Sequence, residues 1–420
     1  MSLPARGRGL KHEGIKSVLP LNEQMDLITR GIAEIVSEEE LEERVAEAIR
    51  TNRPLRVKYG IDPSGKDVHI GHMVPVSKMR DFQDAGHQGV IIIGDYTGQI
   101  GDPTGLDESR PSLTKEKVLA NAATYVDQLM KVLDRAKTEV RYQTEWFEGF
   151  TLVDTIQLGQ KFTLAQMLSH ETFAKRLDEG LPLGMHEVMY PMLMAYDSVA
   201  IRADVELGGM EQRFNILQGR DLQRAMGQRP QVAVLSPMLP GLDGAEKMGK
   251  SLGNYVGVND PPADMFGKIM SIRDDLLVPY LTLAAGASPE VVNEAKARLE
   301  SGVNPMEIKR QLGRAVVARY HGDEAAAQAE AEFMGVFSRR DQLPEDIADL
   351  EVGSGPVRIL QVIVEGNLAP SNSEARRLIQ QGGVTLDGGR ITDVNAEVLV
   401  RDGAILKVGK RRFARLRVKP

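Results

Sequence analysis

The stretch "LRVKYGIDPSGKDVHIGHMVPV", residues 55–76, joins a short apolar run to a Gly/Pro turn and then to the start of a helical pattern. An apolar run of this length is typical of a strand buried in a parallel sheet. The turn puts His69 and His72 at the N-terminus of the following helix, with Gly71 between them. Helix N-termini carry unpaired N–H groups and a partial positive charge, so this position favours phosphate binding.

Similar strand patterns recur along the first half of the chain. They are "GVIIIGD" (89–95), "DVEL" (204–207) and "QVAVL" (231–235), and helix-like sequence separates them. Residues 22–53 are expected to be helical, because "SEEELEERVAEAIR" opens with a capping box from Ser37 to Glu40. The pattern predicts an α/β fold with a doubly wound, Rossmann-like parallel sheet, whose ligands bind at the carboxyl ends of the strands.

The rest of the chain divides by its pattern of helix, Gly/Pro and charge. Residues 1–245 form the expected Rossmann-like domain with N-terminal helices, and residues 246–342 a lysine-bearing loop followed by an α-helical domain. The polar stretch 343–356 is expected to be a linker. Residues 357–420 show two helical segments and then short strands, which predicts a small α+β domain.

Composition excludes several classes of protein. Apolar residues make up 42% of the 420 residues and charged residues 26%, which is typical of a soluble globular protein. No apolar run approaches the roughly 20 residues that span a bilayer, so no membrane partner is expected. Because cysteine is absent, disulfide scaffolds, thiol nucleophiles and thiolate metal sites are excluded, and a cytoplasmic location is expected.

Charge is distributed unevenly along the chain. Residues 357–420 hold 12 Lys and Arg against 6 Asp and Glu, whereas the preceding residues hold 40 against 53. A small basic module on an acidic body indicates a polyanionic partner, although a merely solvated basic end has the same composition.

The two histidines suit phosphate chemistry. They can donate hydrogen bonds to phosphate oxygens as negative charge develops, and Gly71 lets a flat base approach the backbone. A lone H-x-x-H pattern is more often two surface histidines. A zinc pair is disfavoured, because no third ligand lies nearby in the sequence. No metal site is therefore expected.

"EKMGKSLGN", residues 246–254, offers Lys247, Lys250 and Ser251 between glycines. The span 244–251 formally satisfies the P-loop signature, but that motif needs a strand directly before it and a helix directly after it. Two prolines and a glycine-broken stretch flank it instead. The pattern favours a mobile loop that presents two lysines to a polyphosphate, and an inert surface loop is the alternative.

The ordered set of motifs resembles a known family. "HIGH" ahead of "KMGKS" on a doubly wound sheet is similar to class I aminoacyl-tRNA synthetases. The segments "IGDYTGQIGDPTG", "YPMLMAYDSVAIRADVELGGMEQRFNILQGRDLQR" and "GLDGAEKMGKSLGNY" narrow the resemblance to the bacterial tyrosyl-tRNA synthetases. Residues 357–420 resemble the S4-type RNA-binding domain that ends such enzymes.

The resemblance implies a reaction and its partners. ATP and L-tyrosine would give tyrosyl-adenylate and pyrophosphate, and the tyrosyl group would pass to the 3′-terminal adenosine of tRNA-Tyr. Catalysis would depend on positioning and on charge stabilisation at the phosphates. Mg²⁺ would accompany ATP, no tightly held protein cofactor is implied, and the family works as a homodimer.

The resemblance also implies roles for individual residues. The catalytic set comprises His69, His72, Lys247 and Lys250. The ATP-binding set comprises Gly60, Asp62, His69, Gly71, His72, Gly209, Glu211, Lys247, Lys250 and Ser251. The tyrosine-binding set comprises Asp102, Tyr190, Asp197 and Gln212, with Asp197 accepting a hydrogen bond from the phenol. In the tail, RNA would meet Arg376, Arg377, Lys410, Arg411 and Arg412.

Four positions depart from the family pattern. Met194 stands where a glutamine usually helps to bind the substrate ammonium, and Glu211 replaces an aspartate. Gly249 replaces the serine between the two lysines, and Lys58 stands where some members have a tyrosine. These changes leave both histidines, both lysines and Asp197 in place.

Three alternatives remain open at this stage. A tryptophanyl-tRNA synthetase shares the fold and the motif pair, but it lacks an S4-like tail. Another class I-type nucleotidyltransferase would have no need of an RNA-binding end. A synthetase-derived RNA-binding protein without catalysis would have no need of the histidine and lysine motifs.

Overall fold

The structure is a computed structural model that describes residues 19–104, 113–249, 252–341, 347–409 and 412–419. The chain divides into two compact units between Phe333 and Met334. Within the described residues, no helix is both long enough and apolar enough to cross a membrane.

The first unit is built on one six-stranded sheet. Its strands are β1 (Glu34–Val36), β2 (Arg56–Ile61), β3 (Gln88–Ile93), β4 (Thr138–Tyr142), β5 (Val205–Gly209) and β6 (Val232–Ser236), in the spatial order β1-β6-β5-β2-β3-β4. All neighbouring pairs are parallel except β1 with β6, which is antiparallel. The predicted doubly wound sheet is confirmed, and its order reverses between β2 and β5.

Sixteen described helices accompany this sheet or follow it. They are α1 (Leu21–Thr29), α2 (Glu38–Thr51), α3 (Met73–Asp84), α4 (Thr97–Ile100), α5 (Lys115–Leu129), α6 (Thr144–Phe147), α7 (Leu152–Gly159), α8 (Leu164–Leu168), α9 (Glu171–Asp178), α10 (Met185–Ala200), α11 (Arg213–Ala225), α12 (Pro262–Met270), α13 (Leu277–Leu283), α14 (Pro289–Glu300), α15 (Pro305–His321) and α16 (Asp323–Asp341). Helix α3 packs on β2, β3 and β5, and α11 packs on β5, β6 and α10.

The prediction of continuous helix over residues 22–53 is wrong in its middle. Gly31 has a φ of +69°, which breaks the chain between α1 and α2, and the edge strand β1 follows it. Ser37 then caps α2, because its Oγ accepts a hydrogen bond from the Glu40 backbone N–H at 3.2 Å. The predicted helix start is therefore confirmed.

One apolar core joins the sheet to the later helices. Val57 of β2 and Val234 of β6 belong to the same buried cluster as Phe266 of α12 and Leu312 of α15. The expected domain boundary at residue 245 therefore passes through a single core instead of separating two. The prolines and glycines after β6 mark a change of secondary structure within one unit.

The second unit has a separate core and two sheets. Its elements are β7 (Ala348–Val352), β8 (Pro356–Arg358), α17 (Ile359–Glu365), α18 (Asn372–Gln380), β9 (Val384–Leu386), β10 (Gly389–Ile391), β11 (Glu397–Leu399), β12 (Ala404–Val408) and β13 (Arg412–Val418). The larger sheet has the order β10-β9-β12-β13-β7, and β8 pairs with β11. The two helical segments predicted for residues 357–420 are present as α17 and α18. The short strands predicted after them are present as β9, β12 and β13.

The expected linker 343–356 contains structure. Residues 348–352 form β7, which runs parallel to β13 at the edge of the larger sheet. Val352 is buried and Leu350 packs against the core of this unit. The alternating "ADLEV" pattern hid this strand among acidic residues, and the small domain therefore begins before residue 357.

Candidate active site

The candidate residues gather where the order of the strands reverses. Gly60 lies near the end of β2, and Asp62 directly follows it. Gly209 ends β5, and Glu211 and Gln212 follow at once. Because ligands of doubly wound sheets bind in the crevice at this reversal, the topology brings both groups to one edge.

The two histidines stack directly before α3. Their ring centroids lie 3.6 Å apart at an interplanar angle of 23°, and the His69 backbone N–H donates to His72 Nδ1 at 3.3 Å. A Cβ on Gly71 would approach the His69 ring to 3.0 Å, so a glycine keeps this stack open. Their predicted position at the N-terminus of a helix is confirmed, since α3 begins at Met73.

The histidine segment is hydrogen-bonded to the segment that follows the lysine loop. The Ile70 backbone N–H donates to the carbonyl of Val256 at 3.0 Å, and the Val258 N–H donates to the carbonyl of Val68 at 2.8 Å. His69 itself forms an isolated antiparallel bridge with Gly257. Two motifs far apart in the sequence are thereby tied together by backbone hydrogen bonds.

The lysine loop is held at its base. Asn254 Oδ1 accepts the Gly249 N–H at 2.8 Å, and its Nδ2 donates to Asp243 at 2.6 Å. Lys247 is exposed, whereas Met248 is buried and lies 3.5 Å from the place that a Cβ on Gly71 would take. Lys250 and Ser251 lie outside the described residues. No described helix adjoins the loop, which agrees with the rejection of a P-loop.

Asp62 and Tyr190 interact directly. The Tyr190 hydroxyl donates to Asp62 Oδ2 at 2.9 Å, and the Thr97 hydroxyl donates to Asp62 Oδ1 at 2.7 Å. Burial raises the pKa of Tyr190 well above its usual value, and the charges of Asp62, Asp102 and Asp197 raise it further. The negative charges of these carboxylates all act on this phenol, which makes the crevice favourable for a cation.

Asp102 and Gln212 form a second contact in the same crevice. Gln212 Nε2 donates to Asp102 Oδ2 at 2.7 Å, and the Thr104 backbone N–H donates to Asp102 Oδ1 at 2.9 Å. Asn215 Nδ2 donates to Gln212 Oε1 at 3.0 Å. This chain of hydrogen bonds fixes which way the Gln212 amide points.

Glu211 is influenced by charges of both the acidic crevice and the lysine loop. Burial raises the pKa of its carboxyl, the charge of Asp102 adds to the rise, and Lys247 opposes it. A Cβ on Gly209 would overlap the Glu211 carboxylate, so the glycine makes room for this side chain. The longer arm of glutamate, compared with the usual aspartate, therefore reaches back over the end of β5.

Asp197 is a buried carboxylate held by neutral donors. Gln143 Nε2 donates to its two oxygens at 2.9 and 3.1 Å, and Trp146 Nε1 donates at 3.1 Å. Burial raises the pKa of Asp197 to about 7, against the effects of the Lys58 charge and of these hydrogen bonds. Such a carboxylate is a strong acceptor for a hydroxyl group that enters the crevice.

The two departures beside Asp197 have different surroundings. The Met194 side chain packs against an apolar cluster that includes Ile216, Ala233 and Leu235. Lys58 is completely buried in β2 and forms an ion pair of 2.7 Å with Glu206 of β5. Met194 therefore does not replace the polar group of the glutamine that is usual in the family, and Lys58 does not replace that of the tyrosine found in some members.

Sequence reasoning missed the residues that hold Asp197 and Asp62. Gln143 and Trp146 follow β4, whose half-buried "TEVRY" pattern carries no continuous apolar run. Thr97 lies at the start of α4, directly after β3. The one signal that could have found them is their position after parallel strands, at the edge where ligands bind.

The second unit brings part of the predicted RNA-binding set together. Arg376 and Arg377 are exposed on α18, and Arg377 pairs with Glu374 at 2.7 Å. The pKa of Glu374 is lowered by this hydrogen bond and also by the charge of Arg412, so Arg412 lies near α18. Lys410 and Arg411 lie outside the described residues.

Other cations of the tail have acidic partners. Arg417 pairs with Asp349 of β7 at 3.3 Å, and Lys419 pairs with Glu351 at 2.9 Å. These pairs follow from the parallel register of β7 and β13. The positive charge of this unit is therefore partly neutralised along one sheet edge and at Arg377, whereas Arg376 has no ion pair among the described residues.

The chain matches two family models. One is described as tRNA synthetases class I (W and Y) and matches residues 50–338. The other is described as the tyrosine–tRNA ligase SYY-like C-terminal domain and matches residues 340–415.

Curated relatives match nearly the whole chain. The tyrosine–tRNA ligase of Symbiobacterium thermophilum is 48% identical over 96% of this chain and 99% of that protein. The enzyme of the same name from Moorella thermoacetica is 48% identical over 94% of this chain and 95% of that protein. The tyrosine–tRNA ligase of Thermotoga maritima is 45% identical over 94% of this chain and 97% of that protein.

Solved structures share the fold. A tyrosyl-tRNA synthetase from Archaeoglobus fulgidus, complexed with L-tyrosine, superposes with a TM-score of 0.60 at 23% identity. That similarity covers 74% of this chain and 100% of the other. A truncated mitochondrial tyrosyl-tRNA synthetase from Aspergillus nidulans has a TM-score of 0.62 at 18% identity, over 76% and 94% of the two chains.

A substitution at Gly94 tests how tightly the crevice is built. A Cβ there would overlap both Asp62 Oδ1 and Thr97 Oγ1. We expect Gly94→Ala to lower the free energy of unfolding by about 1–3 kcal/mol, as overpacking does. The measurement is the urea midpoint followed by tryptophan fluorescence.

Gly149→Ala is the matched control, because a Cβ at Gly149 meets nothing within 4 Å. It should leave the urea midpoint unchanged. Equal midpoints for the two variants would show that Asp62 is not held against Gly94 as described.

Proposed function

Because the chain belongs to the tyrosine–tRNA ligase family of class I tRNA synthetases, we propose that it activates L-tyrosine with ATP and transfers the tyrosyl group to tRNA-Tyr. The family model covers tryptophan and tyrosine enzymes alike, but the curated relatives named above are tyrosine–tRNA ligases. The observation that carries the proposal is the buried Asp197 carboxylate at the reversal of the sheet, because such a group recognises a phenol.

Recognition of the phenol would belong to Asp197. A tyrosine hydroxyl would donate to this carboxylate, which Gln143 and Trp146 already hold in place. Phenylalanine would leave the buried charge without that donor, and an unpaired buried charge is costly. The site would thus select tyrosine by penalising its closest analogue.

The substrate ammonium would bind among the other carboxylates. The Tyr190 hydroxyl contacts Asp62, and the charges of Asp62 and Asp102 both act on Tyr190, so this part of the crevice attracts a cation. The Gln212 amide is oriented by Asn215 and would add a carbonyl acceptor. Met194 would contribute nothing polar, and the carboxylates would carry the ammonium without it.

ATP would lie across the other end of the crevice. The stacked His69 and His72 precede α3, where phosphate oxygens would find donors as charge develops on the α-phosphate. Lys247 and Lys250 would accompany the departing pyrophosphate. Glu211 would accept hydrogen bonds from the ribose.

Gly60, Gly71, Gly209 and Ser251 would complete the ATP-binding set. A Cβ on Gly60 would meet nothing within 4 Å, so the backbone there borders open space that a nucleotide could fill. In the described residues, no three acidic or histidine side chains gather into a metal site. Mg²⁺ would enter with ATP, bound mainly through its phosphates.

The cytoplasm is the proposed location of this activity. The chain contains no cysteine that would need an oxidising compartment. Translation and its tRNA substrates are found in that reducing compartment.

Tyrosine-dependent pyrophosphate exchange tests the function. The full chain should exchange pyrophosphate into ATP with L-tyrosine and with none of the other nineteen amino acids at comparable efficiency. Asp197→Ala should lower the ratio of kcat/KM for tyrosine over phenylalanine by roughly ten- to a hundredfold, the worth of a hydrogen bond to a charged group.

Asp349→Ala is a suitable control, because this acid lies in the second unit and pairs with Arg417. Its selectivity should equal that of the unmodified chain. Exchange that depends on another amino acid, or full selectivity in Asp197→Ala, would contradict the assignment.

The S4-like tail would hold tRNA mainly through its backbone phosphates. Arg376, Arg377, Lys410, Arg411 and Arg412 are the proposed contacts, and the three that the structure describes are exposed. Phosphate contacts give affinity that falls with salt and carry little sequence information.

Truncation after Asp341 separates the two half-reactions. Removing residues 342–420 takes away all of β7 with its sheet, while the first unit keeps its own core. Tyrosine activation should persist, and kcat/KM for tRNA charging should fall at least about tenfold.

A full-length variant controls for damage from truncation. Arg376→Glu, Arg377→Glu and Arg412→Glu together should reduce the slope of log affinity against log salt by about 2 to 3. Charging by the truncated chain at the full rate in physiological salt would contradict an RNA-binding tail.

Assembly as a homodimer is also proposed. Large apolar side chains are exposed on and between α7 and α10, including Leu152 at 75%, Ile156 at 54%, Leu164 at 62% and Met185 at 72%. Apolar side chains exposed to this extent on neighbouring helices are typical of a surface that another subunit covers.

Sedimentation should give about twice the 46.2 kDa chain mass at micromolar concentration. The double variant Leu152→Glu and Ile156→Glu should shift the protein to monomer, because it would bury charge in an apolar interface. Met226→Glu alters an exposed methionine directly after α11 and should remain dimeric. A monomeric unmodified chain would contradict the proposal.

A further inference from the structure

Lys58 is the most deeply buried cation near the candidate active site. It is 0% exposed on β2, and its ammonium contacts Glu206 Oε1 at 2.7 Å. The same ammonium donates to Ser198 Oγ at 2.8 Å and to the Met194 carbonyl at 3.2 Å. Both of these acceptors belong to α10, the helix that carries Asp197.

Glu206 extends the contact to a third element. Its Oε2 accepts hydrogen bonds from the Ser198 hydroxyl at 3.0 Å and from Gln231 Nε2, which lies directly before β6. One turn of α10 is thus attached to β2 through Lys58 and to β5 through Glu206. Asp197 lies in that turn, directly before Ser198.

Stability alone does not account for a buried pair of charges. Removing two ions from water costs several kcal/mol each, and well-packed apolar residues of similar volume often serve as well or better. Lys58 directly follows the buried Val57 in β2, and Glu206 directly precedes the buried Leu207 in β5. The pair therefore lies in an otherwise apolar sheet. We therefore expect Lys58 and Glu206 to have a role beyond stability.

The charges of Lys58 and Glu206, which are attached to the turn of α10 that holds Asp197, act on its carboxyl. Burial raises the pKa of its carboxyl, while the charge of Lys58 is the strongest opposing influence and Glu206 adds a smaller rise. From α6 and the residue before it, Trp146 and Gln143 donate hydrogen bonds that also favour the ionised form.

The remaining titratable neighbour is Tyr190 on α10 itself. The charge of Asp197 is among the influences that raise the pKa of this phenol, so Tyr190 stays neutral at physiological pH. Lys58 is thus the positive charge that acts on Asp197 among these described neighbours.

We propose that Lys58 is a positioning residue that fixes the Asp197 turn of α10 and, through its charge, sets the pH range over which the site distinguishes a phenol from a phenyl ring. This inference rests on the proposed function. An ionised Asp197 penalises phenylalanine because it would remain buried without a hydroxyl donor. A neutral Asp197 carries a smaller penalty, so discrimination weakens as the carboxyl becomes protonated.

The test measures selectivity against pH. The ratio of kcat/KM for tyrosine over phenylalanine in pyrophosphate exchange cancels ionisations that both substrates share. In the unmodified chain this ratio should rise with pH through about 7, where Asp197 becomes ionised. Below that midpoint, each pH unit should lower the ratio by up to about tenfold.

The informative variant is Lys58→Met combined with Glu206→Gln. It removes both charges, keeps an acceptor for the Ser198 hydroxyl, and avoids leaving an unpaired buried carboxylate as Lys58→Met alone would. The midpoint should still move upward, because the Lys58 charge acts on Asp197 more strongly than the Glu206 charge, but by less than the roughly 1–3 pH units that loss of an opposite charge alone would give.

Two controls separate charge from structure. Arg176→Met with Glu187→Gln neutralises another buried pair that involves α10, at 2.8 Å, and should leave the midpoint unchanged. Ser198→Ala removes only the hydroxyl between Lys58 and Glu206. It should raise KM for tyrosine several-fold without moving the midpoint, because both charges remain.

The outcomes distinguish this inference from the proposed function. An unmodified chain that fails to activate tyrosine would overturn the function itself. A chain that activates tyrosine, with the same midpoint in the unmodified protein and in the Lys58→Met, Glu206→Gln variant, would overturn only the role of Lys58. Circular dichroism and the urea midpoint establish that each variant is folded when it is assayed.

Discussion

The position of β2 between β3 and β5 is the constraint on which the candidate site depends. The chain proceeds from β2 to β3 and β4 on one side, and then to β5 and β6 on the other, which leaves a crevice where the order reverses. Asp62 follows β2 and Gln212 follows β5, so acidic and amide groups from distant segments meet there. The same β2 leads into the histidine turn and α3, which puts the N-terminus of a helix at the edge of the sheet where these groups lie.

Such a crevice stays ordered only if its buried carboxylates have donors. Asp197 has the Gln143 amide and the Trp146 indole, and Asp62 has the hydroxyls of Thr97 and Tyr190. A buried polar group without partners would cost several kcal/mol, so these contacts fix the geometry before any substrate binds. Catalysis by positioning requires this preorganisation, since little covalent chemistry is left for the protein to perform.

Sequence patterns predicted the parts of the fold that are largely apolar. β3 and β6 are buried almost throughout and appear as apolar runs, and β2 and β5 do so apart from the buried Lys58 and Glu206. β4 is half-buried throughout, so its sequence has no continuous apolar run. β1 has only three residues and lies inside a segment expected to be helical, so its sequence has no strand pattern either. The histidine pair could be interpreted from its place before a helix. The roles of Asp197 and Tyr190 came from family resemblance, because an isolated Asp or Tyr has no distinctive pattern.

A count of charged residues in the sequence does not show which cations are neutralised by ion pairs in the structure. The basic tail appears strongly cationic in sequence, yet β7 runs parallel to β13 and sets Asp349 and Glu351 beside Arg417 and Lys419. Cations paired along a strand contribute little to the field that a distant polyanion experiences. On α18, Arg377 is paired with Glu374 in the same way, and Arg376 is the arginine of this helix without an ion pair among the described residues. The face of a basic domain that meets nucleic acid is therefore identified by its charge after ion pairs are subtracted, and not by its composition.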